Sequence, residues 1–183
     1  MLVAEQKQKS NIAEYVLYMY QIEDLIRACK FDLEVIINNI VKPQLPDASF
    51  LPQYEKWYSG LIAQMKSQRI EKIGHLMSTQ EVIVELSYLH SSLLNFPDNI
   101  KYKAIVDTAT PHIEEFKAKS NLKEKNEVEI VFHAMYMKLL LRLQKKEISP
   151  ASEESFDAMR IMIAYLSRSY VKMKAGETDF LNP

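Results

Sequence analysis

The chain has 183 residues, of which 48% are hydrophobic, 26% are charged and only three are glycine, and its formal net charge is −1. This length and composition fit one domain with a proper apolar core. The charge gives no general attraction to nucleic acid, the scarcity of glycine argues against glycine-rich phosphate loops, and the single cysteine, Cys29, excludes intrachain disulfides and cysteine-based zinc sites.

Apolar side chains recur every three or four residues along most of the chain, which is the spacing of one helix face. The first such seam comprises Ile12, Tyr15, Met19, Ile22, Ile26 and Cys29. Two later seams comprise Val82, Leu86, Leu89, Leu93 and Phe96, and then Phe156, Met159, Ile163, Leu166, Tyr170 and Met173. We therefore predict helices over residues 4–29, 32–42, 52–76, 79–96, 99–119, 124–147 and 150–175, with the third and fourth either separate or continuous.

Capping residues and prolines support these boundaries. The predicted start signals are Ser10, Asp32, Pro52, the capping box of Ser78 and Glu81, and Ser149 followed by Pro150. Pro111 is the one proline inside a predicted helix, so we expect a break or kink there. Gly176 is a helix stop, and residues 176–183 are expected to form a frayed tail in which Phe180 or Leu181 could still dock.

These patterns predict an all-α fold, a single-domain bundle of six or seven mostly antiparallel helices over residues 1–183. No segment alternates as a strand does, and no run approaches the ~20 apolar residues of a membrane span. The N-terminus turns polar after four residues, unlike a signal peptide. We expect a cytoplasmic protein.

The first helix carries charged residues inside an apolar segment. On a helical wheel Asp24 points away from the seam, Glu23 lies roughly 70° from the seam centre, and Arg27 lies one turn below Glu23. Three interpretations follow: a boundary salt bridge between Glu23 and Arg27, a partly buried Glu–Arg–Tyr cluster that holds an anion, or a subunit interface. The candidate binding residues are Tyr15, Glu23, Arg27 and His75.

Two histidines have a glutamate four residues earlier, which would place both side chains on one helix face. The pairs are Glu71 with His75 and Glu129 with His133, and together they form a speculative metal site. The competing interpretation is a surface pair or a buried, hydrogen-bonded histidine. The chain contains no Glu-x-x-His, P-loop, dinucleotide fingerprint or Gly-x-Ser-x-Gly elbow, and we predict no cofactor.

Three stretches together carry a family resemblance. They are "NIAEYVLYMYQIEDLIRA" (11–28), "EKIGHL" (71–76) and "LLLRLQKKEIS" (139–149). The chain resembles an uncharacterised family of helical bacterial proteins catalogued as a domain of unknown function. The resemblance implies a bacterial, all-helical, single-domain protein and brings no established activity. It directs attention to polar and aromatic residues that could meet in space: Glu14, Tyr15, Tyr18, Glu23, Asp24, Arg27, Glu71, His75, Arg142 and Lys145.

We expect a non-enzymatic protein that acts through protein–protein contacts, with a protein partner or self-association as a homodimer. The apolar character of residues 128–143 and of the first helix motivates this expectation. The alternative is a helical protein, enzymatic or not, that binds a small molecule or metal at a site between helices around Glu23, Arg27 and His75. We expect no nucleic-acid partner and no membrane partner.

Overall fold

The computed structural model of the chain describes residues 3–177. Within them there are eight α-helices and no β-strand. The helices are α1 (Val3–Ser10), α2 (Ile12–Ala28), α3 (Leu33–Ile36), α4 (Leu51–Ser67), α5 (Met77–Asn95), α6 (Ile100–Lys119), α7 (Glu127–Leu143) and α8 (Pro150–Lys174). The all-α prediction is confirmed. The number of helices exceeds the predicted six or seven because the first predicted helix is divided.

The division lies at Asn11. Its side-chain Oδ1 accepts a hydrogen bond from the backbone N–H of Glu14 at 3.2 Å, as an N-cap does, and another from the Ser167 hydroxyl at 3.0 Å. The Ser167 Oγ in turn accepts from the Ala13 N–H at 3.3 Å. Asn11 rather than Ser10 therefore caps the main helix of this segment, and the Ser10 prediction is wrong.

The second predicted helix changes its winding twice. Asp32 caps α3 as predicted, with Oδ1 accepting from the Val35 N–H at 3.1 Å. A π-helical turn follows over Ile37–Val41, and a 3₁₀ turn over Lys42–Gln44 contains Pro43. Pro43 has no N–H to donate to an i−4 carbonyl, so its position disfavours a return to the α-helix after the π-helical turn.

The third predicted helix is too long at its C-terminal end. Pro52 lies in the first turn of α4 as predicted, but the helix stops at Ser67. Arg69 and Gly74 have φ angles of 57° and 105°, and neither value fits a right-handed helix. Residues 68–76 form a loop, so the prediction that the third and fourth helices could be continuous is wrong.

The helix starts after this loop also differ in part from the predictions. Met77 already belongs to α5, so Ser78 lies inside the helix and does not cap it. A complete capping box occurs instead at α7, where Asn126 and Glu129 exchange side-chain and backbone bonds. Asn99 caps α6 and Ser149 caps α8, the latter as predicted.

Helix α6 runs through Pro111 without a break. Because Pro111 has no N–H, one backbone hydrogen bond of the helix is missing at this position. In the preceding turns the hydroxyls of Thr108 and Thr110 donate to the carbonyls of Ala104 and Val106 at 2.9 and 2.8 Å. The predicted break is wrong, because the helix continues to Lys119, and the alternative of a kink stays a prediction.

The described residues form two compact units. The first comprises residues 3–6 and 18–81, and the second comprises residues 7–17 and 82–177. The prediction of a single domain over residues 1–183 stays a prediction. The predicted tail begins within the described part at Gly176, while Phe180 and Leu181 lie outside the described residues.

In the second unit α8 runs antiparallel to two other helices. Arg142 and Lys138 of α7 pair with Glu153 and Asp157 of α8 in reverse order, at 3.4 and 3.2 Å. On the α6 side His112 pairs with Ser155, and Tyr102 stacks on Tyr165. The interior of this unit includes four fully or nearly fully buried side chains: Val131, Phe132, Tyr165 and Leu166.

The predicted apolar seams account for most of the core. In the first seam every member except Cys29 is buried, and in the last every member except Met173 is buried. In the middle seam Phe96 is exposed, because α5 ends at Asn95. Within residues 3–177, none of the helices has the length and apolar character needed to cross a bilayer.

Candidate functional site

Glu23 of α2 anchors the loop formed by residues 68–76. Its side chain has no exposed surface. One carboxylate oxygen accepts the Leu76 backbone N–H at 3.0 Å, and the other lies 2.7 Å from His75 Nδ1. Leu76 directly precedes α5, so this carboxylate also lies at the positive end of the α5 dipole.

His75 is held by an aromatic neighbour as well as by Glu23. Its imidazole stacks on the Tyr20 ring with the ring centroids 3.6 Å apart and the planes inclined by 14°. Tyr20 is itself buried, and 22% of the His75 side chain remains exposed. Stacking and hydrogen bonding together fix the orientation of this imidazole.

Arg27 holds the same loop through its backbone. Its Nη2 donates to the carbonyl of Ile70 at 3.1 Å and also to the carbonyl of Gly74. Its Nη1 donates to Asp24 at 2.9 Å, and its Nε is buried without a hydrogen-bond partner. A guanidinium that binds two carbonyls of one loop restricts that loop in both position and direction.

The salt bridge between Glu23 and Arg27 that the sequence suggested within α2 is wrong, because each residue has other partners. Glu23 binds His75 and Leu76, whereas Arg27 binds Asp24 and the loop carbonyls. Glu23 is fully buried and not at the boundary, because the 68–76 loop covers that side of α2. The wheel does place Asp24 correctly, since about half of its side chain is exposed (51%).

Three of the four predicted binding residues therefore lie together: Glu23, Arg27 and His75. Tyr15 is buried and belongs to the second unit. The carboxylate and guanidinium groups are occupied mainly by the loop, so their role in the first unit is to position residues 68–76. That role differs from the anion-binding interpretation of the sequence.

The loop held in this way exposes apolar side chains. Ile73 is 84% exposed and Met77, the first residue of α5, is 60% exposed. Three charged residues of the same loop are exposed beside them: Arg69, Glu71 and Lys72. A second loop constraint comes from Gln68, whose side-chain oxygen accepts the Met77 N–H at 2.8 Å.

Of the two predicted metal pairs, Glu129 and His133 share helix α7 as predicted, whereas Glu71 and His75 do not share a helix. Glu71 and His75 lie in the loop, so the assumption of a shared helix face is wrong for them. Glu129 pairs with Lys125 at 2.9 Å and accepts the Asn126 N–H, and His133 lies half-buried on α7. In residues 3–177 no cluster of three or more His, Cys, Asp or Glu side chains is placed to hold a metal ion.

The second unit contains a cavity of about 290 Å³ bordered by α6, α7, α8 and the segment before α8. Its apolar walls are Phe116, Met137, Leu141, Ile148, Phe156 and Met159. Its polar lining comprises His112, Glu115, Lys119, Ser120, Glu147, Ser149, Ser152 and Ser155. None of the predicted binding residues borders this cavity.

The same unit buries a chain of polar groups around His90. His90 Nδ1 lies 2.7 Å from the Tyr102 hydroxyl, and Nε2 lies 3.1 Å from the Glu127 carboxylate. The hydrogen bond from His90 lowers the pKa of Glu127, while burial raises the pKa of Tyr102 above its ordinary range. Tyr102 has no exposed surface, and 38% of the Glu127 side chain at the other end of the chain of bonds is exposed. We interpret these bonds as stabilising the packing of the second unit.

The comparisons with known proteins agree with the resemblance of the sequence. Residues 1–177 match the family described as Domain of unknown function (DUF4924). The chain belongs to the DUF4924 family. No curated protein and no solved structure matches it.

Sequence reasoning missed the cavity of this DUF4924 protein and the His90 chain of bonds. His112 and Ser155 are 43 positions apart, and His90 and Glu127 are 37 positions apart, so no local pattern connects them. A signal did exist for the burial of Glu23. It follows Val16 and Tyr20 at helical spacing, and both of those are buried.

Proposed function

We propose that this DUF4924 protein is a non-enzymatic interaction protein, and that residues 68–77 form its contact with a second copy of the chain. The observation that carries the proposal is a loop fixed by Glu23, Arg27 and Gln68 that nevertheless exposes Ile73 almost completely. Binding residues are commonly found on loops that a rigid scaffold positions.

The fixed conformation is what distinguishes Ile73 from other exposed apolar residues. Single exposed apolar side chains are common on soluble proteins and need no explanation. A loop that is already ordered pays less conformational entropy on binding, so the same apolar contact yields a higher affinity. Ile73 and Met77 are close in sequence and supply such a contact at the edge of α5.

The charges of the loop favour a second copy as the partner. In a two-fold contact the same patch faces itself, so it must carry groups of both signs to be complementary. Arg69 and Lys72 provide positive groups and Glu71 a negative one within four positions. The formal net charge of −1 also means that two copies repel each other only weakly.

The proposal extends to the setting of this contact. We propose a bacterial protein that acts in the cytoplasm as a homodimer, without a cofactor, a nucleic-acid partner or a membrane partner. The alternative of a small-molecule or metal site around Glu23, Arg27 and His75 is less favoured. The first two of these residues already bind Leu76, Ile70 and Gly74.

The test compares two variants that each remove one exposed isoleucine. Ile73→Ser should turn a dimer into a monomer when molar mass is measured by size-exclusion chromatography with light scattering. Ile161→Ser, on the exposed side of α8, is the matched control and should leave the dimer intact. A wild-type chain that is monomeric at every concentration, or an Ile73→Ser variant that stays dimeric, contradicts the proposal.

A further inference from the structure

The cavity of the second unit has the properties of a ligand site, and it is separate from the proposed dimer contact. Ligand pockets are mainly apolar, with a few polar groups that fix orientation. Here Phe116, Phe156 and Met159 contribute to the apolar walls, and the polar groups include His112 and Ser155. We propose that this cavity binds an uncharged bicyclic aromatic molecule, or one of similar size, that carries a single hydrogen-bond donor.

The size of the cavity sets the size of the ligand. A dry apolar cavity of about 150 Å³ is large enough for benzene. The volume here is about 290 Å³, roughly twice that figure, and corresponds to two fused rings with a small substituent. Two phenylalanine rings and two methionine sulfurs, from Met137 and Met159, favour a flat aromatic body over a branched aliphatic one.

The hydrogen bonds of Ser155 determine which group the ligand must present. Its hydroxyl lies 3.0 Å from the Ala151 carbonyl and 3.0 Å from His112 Nδ1. A hydroxyl has one hydrogen and a carbonyl can only accept, so that hydrogen goes to Ala151. Neutral His112 must then donate from Nδ1 to Ser155, and its Nε2 is left as an acceptor for a ligand O–H or N–H.

The charges around the cavity argue against an anionic ligand. Two glutamates and one lysine line it, so the formal charge is −1 when His112 is neutral. Lys119 is already paired with Glu115 at 2.5 Å, which leaves Glu147 as the excess charge. A cationic group is attracted by Glu147, but Glu147 is exposed and its charge is screened by water, and the positive end of α8, where Ser149 and Ser152 line the cavity, offsets the remaining attraction. A ligand with an uncharged hydrogen-bond donor is repelled neither by Glu147 nor by the positive end of α8.

The experiment titrates isotopically labelled full-length protein with four naphthalene probes and follows binding by NMR. The probes are 2-naphthylmethanol, 2-methylnaphthalene, 2-naphthoate and 2-naphthylmethylamine, which share one body and differ in the head group. We expect 2-naphthylmethanol to bind about fivefold more tightly than 2-methylnaphthalene, as one neutral hydrogen bond would give. The shifts should fall on α6, α7 and α8.

Two variants separate the hydrogen bond from the apolar contact. His112→Phe should remove the advantage of 2-naphthylmethanol and leave the affinity for 2-methylnaphthalene unchanged. Ile148→Trp should fill the cavity from its loop side and abolish the binding of both, whereas Ile161→Trp, on exposed α8 surface, should not. Thermal unfolding of each variant checks that it folds.

Any one of the following outcomes would overturn the inference. No binding of any probe, or shifts confined to other parts of the chain, would mean that the cavity is not a ligand site. Equal or tighter binding of 2-naphthoate or 2-naphthylmethylamine would contradict the uncharged class. An unchanged preference for 2-naphthylmethanol in His112→Phe would contradict the role of Nε2. None of these results depends on whether the protein forms a dimer.

Discussion

Glu23 is the residue on which the 68–76 loop depends most. Glu23→Ala would leave the Leu76 N–H and His75 Nδ1 without their acceptor in a buried position. We expect the free energy of unfolding to fall by about 3 kcal/mol, since each unsatisfied buried group costs roughly 1–3 kcal/mol. Urea denaturation followed by circular dichroism measures this change.

Glu14→Ala is the matched control for that measurement. Glu14 is another glutamate of α2, but its side chain is exposed and its partner is Lys7 at 2.6 Å. Exposed pairs contribute little, so the change should stay below about 1 kcal/mol. Equal losses of unfolding free energy in Glu23→Ala and Glu14→Ala would mean that the buried hydrogen bonds of Glu23 contribute no more stability than the exposed pair of Glu14.

Glu127 makes a second residue-level prediction, on pH dependence. The hydrogen bond from His90 lowers the pKa of Glu127 in the folded chain. A lowered carboxyl pKa contributes stability above the unfolded pKa, and this contribution is lost as pH falls through the folded pKa. The stability advantage of the wild type over Glu127→Gln should therefore shrink as the pH falls through and below the ordinary glutamate pKa of about 4.3.

Urea denaturation at each pH tests this prediction. A difference that stays constant over the range, or grows as the pH falls, would contradict it. The variant is conservative, because glutamine keeps an oxygen that can accept from His90 while losing the titratable group.

At the residue scale, sequence reasoning identified the important side chains of α2 but not their partners. Glu23 and Arg27 were singled out because charged groups in an apolar segment are unusual. Their true partners, His75 and the carbonyls of Ile70 and Gly74, lie 43 to 52 positions away. A helical wheel shows only the faces of one helix, so it cannot show that a distant loop packs against that helix.

At the scale of elements, Arg27 is expected to keep the 68–76 loop closed. Arg27→Met keeps an unbranched apolar stem and removes the donors to Ile70 and Gly74. The loop contains Arg69 and Lys72, both exposed and both sites of trypsin cleavage. Cleavage there should become about tenfold faster if the lost bonds stabilise closure by about 1.4 kcal/mol.

Mass spectrometry of trypsin digests identifies the cleaved bond. Arg160→Met is the control, since Arg160 is an exposed residue of α8 that pairs with Asp157 on the same helix. It should leave cleavage in the 68–76 loop unchanged. Unaltered cleavage in Arg27→Met would show that Gln68 and Glu23 suffice to hold the loop.

The capping box of α7 gives a second prediction at this scale. Asn126 Oδ1 accepts the Glu129 N–H at 3.0 Å, and the Asn126 N–H donates to the Glu129 carboxylate at 3.2 Å. Asn126→Ala should lower the free energy of unfolding by about 1 kcal/mol, as loss of an N-cap does. Thermal denaturation should show the loss, and Asn126→Ser should restore part of it.

Helix boundaries were predicted well where a cap and a proline act together. Ser149 with Pro150 defines the start of α8, and Pro52 lies in the first turn of α4. The predicted helix boundaries were wrong where a residue with a positive φ angle ends the helix. Arg69 and Lys145 adopt positive φ angles although neither residue type favours them, and the predicted helices ran past both positions.

At the scale of the whole molecule, apolar periodicity was enough to predict an all-α protein and most of its core. The apolar seams predicted which residues are buried, because residues spaced three or four positions apart lie on the same face of a helix. The cavity was not predictable from the same pattern. It arises where α6, α7 and α8 leave space between them, and that space depends on tertiary packing.

The 68–77 segment is proposed to combine a fixed conformation with a contact to a second copy. Hydrogen–deuterium exchange of the wild-type chain, compared between dilute and concentrated solution, tests both at once. We predict slow exchange at the N–H groups of Leu76 and Met77 even when dilute, and added protection across residues 68–77 when concentrated. Rapid exchange there in dilute solution, or added protection that falls only elsewhere, would contradict the account.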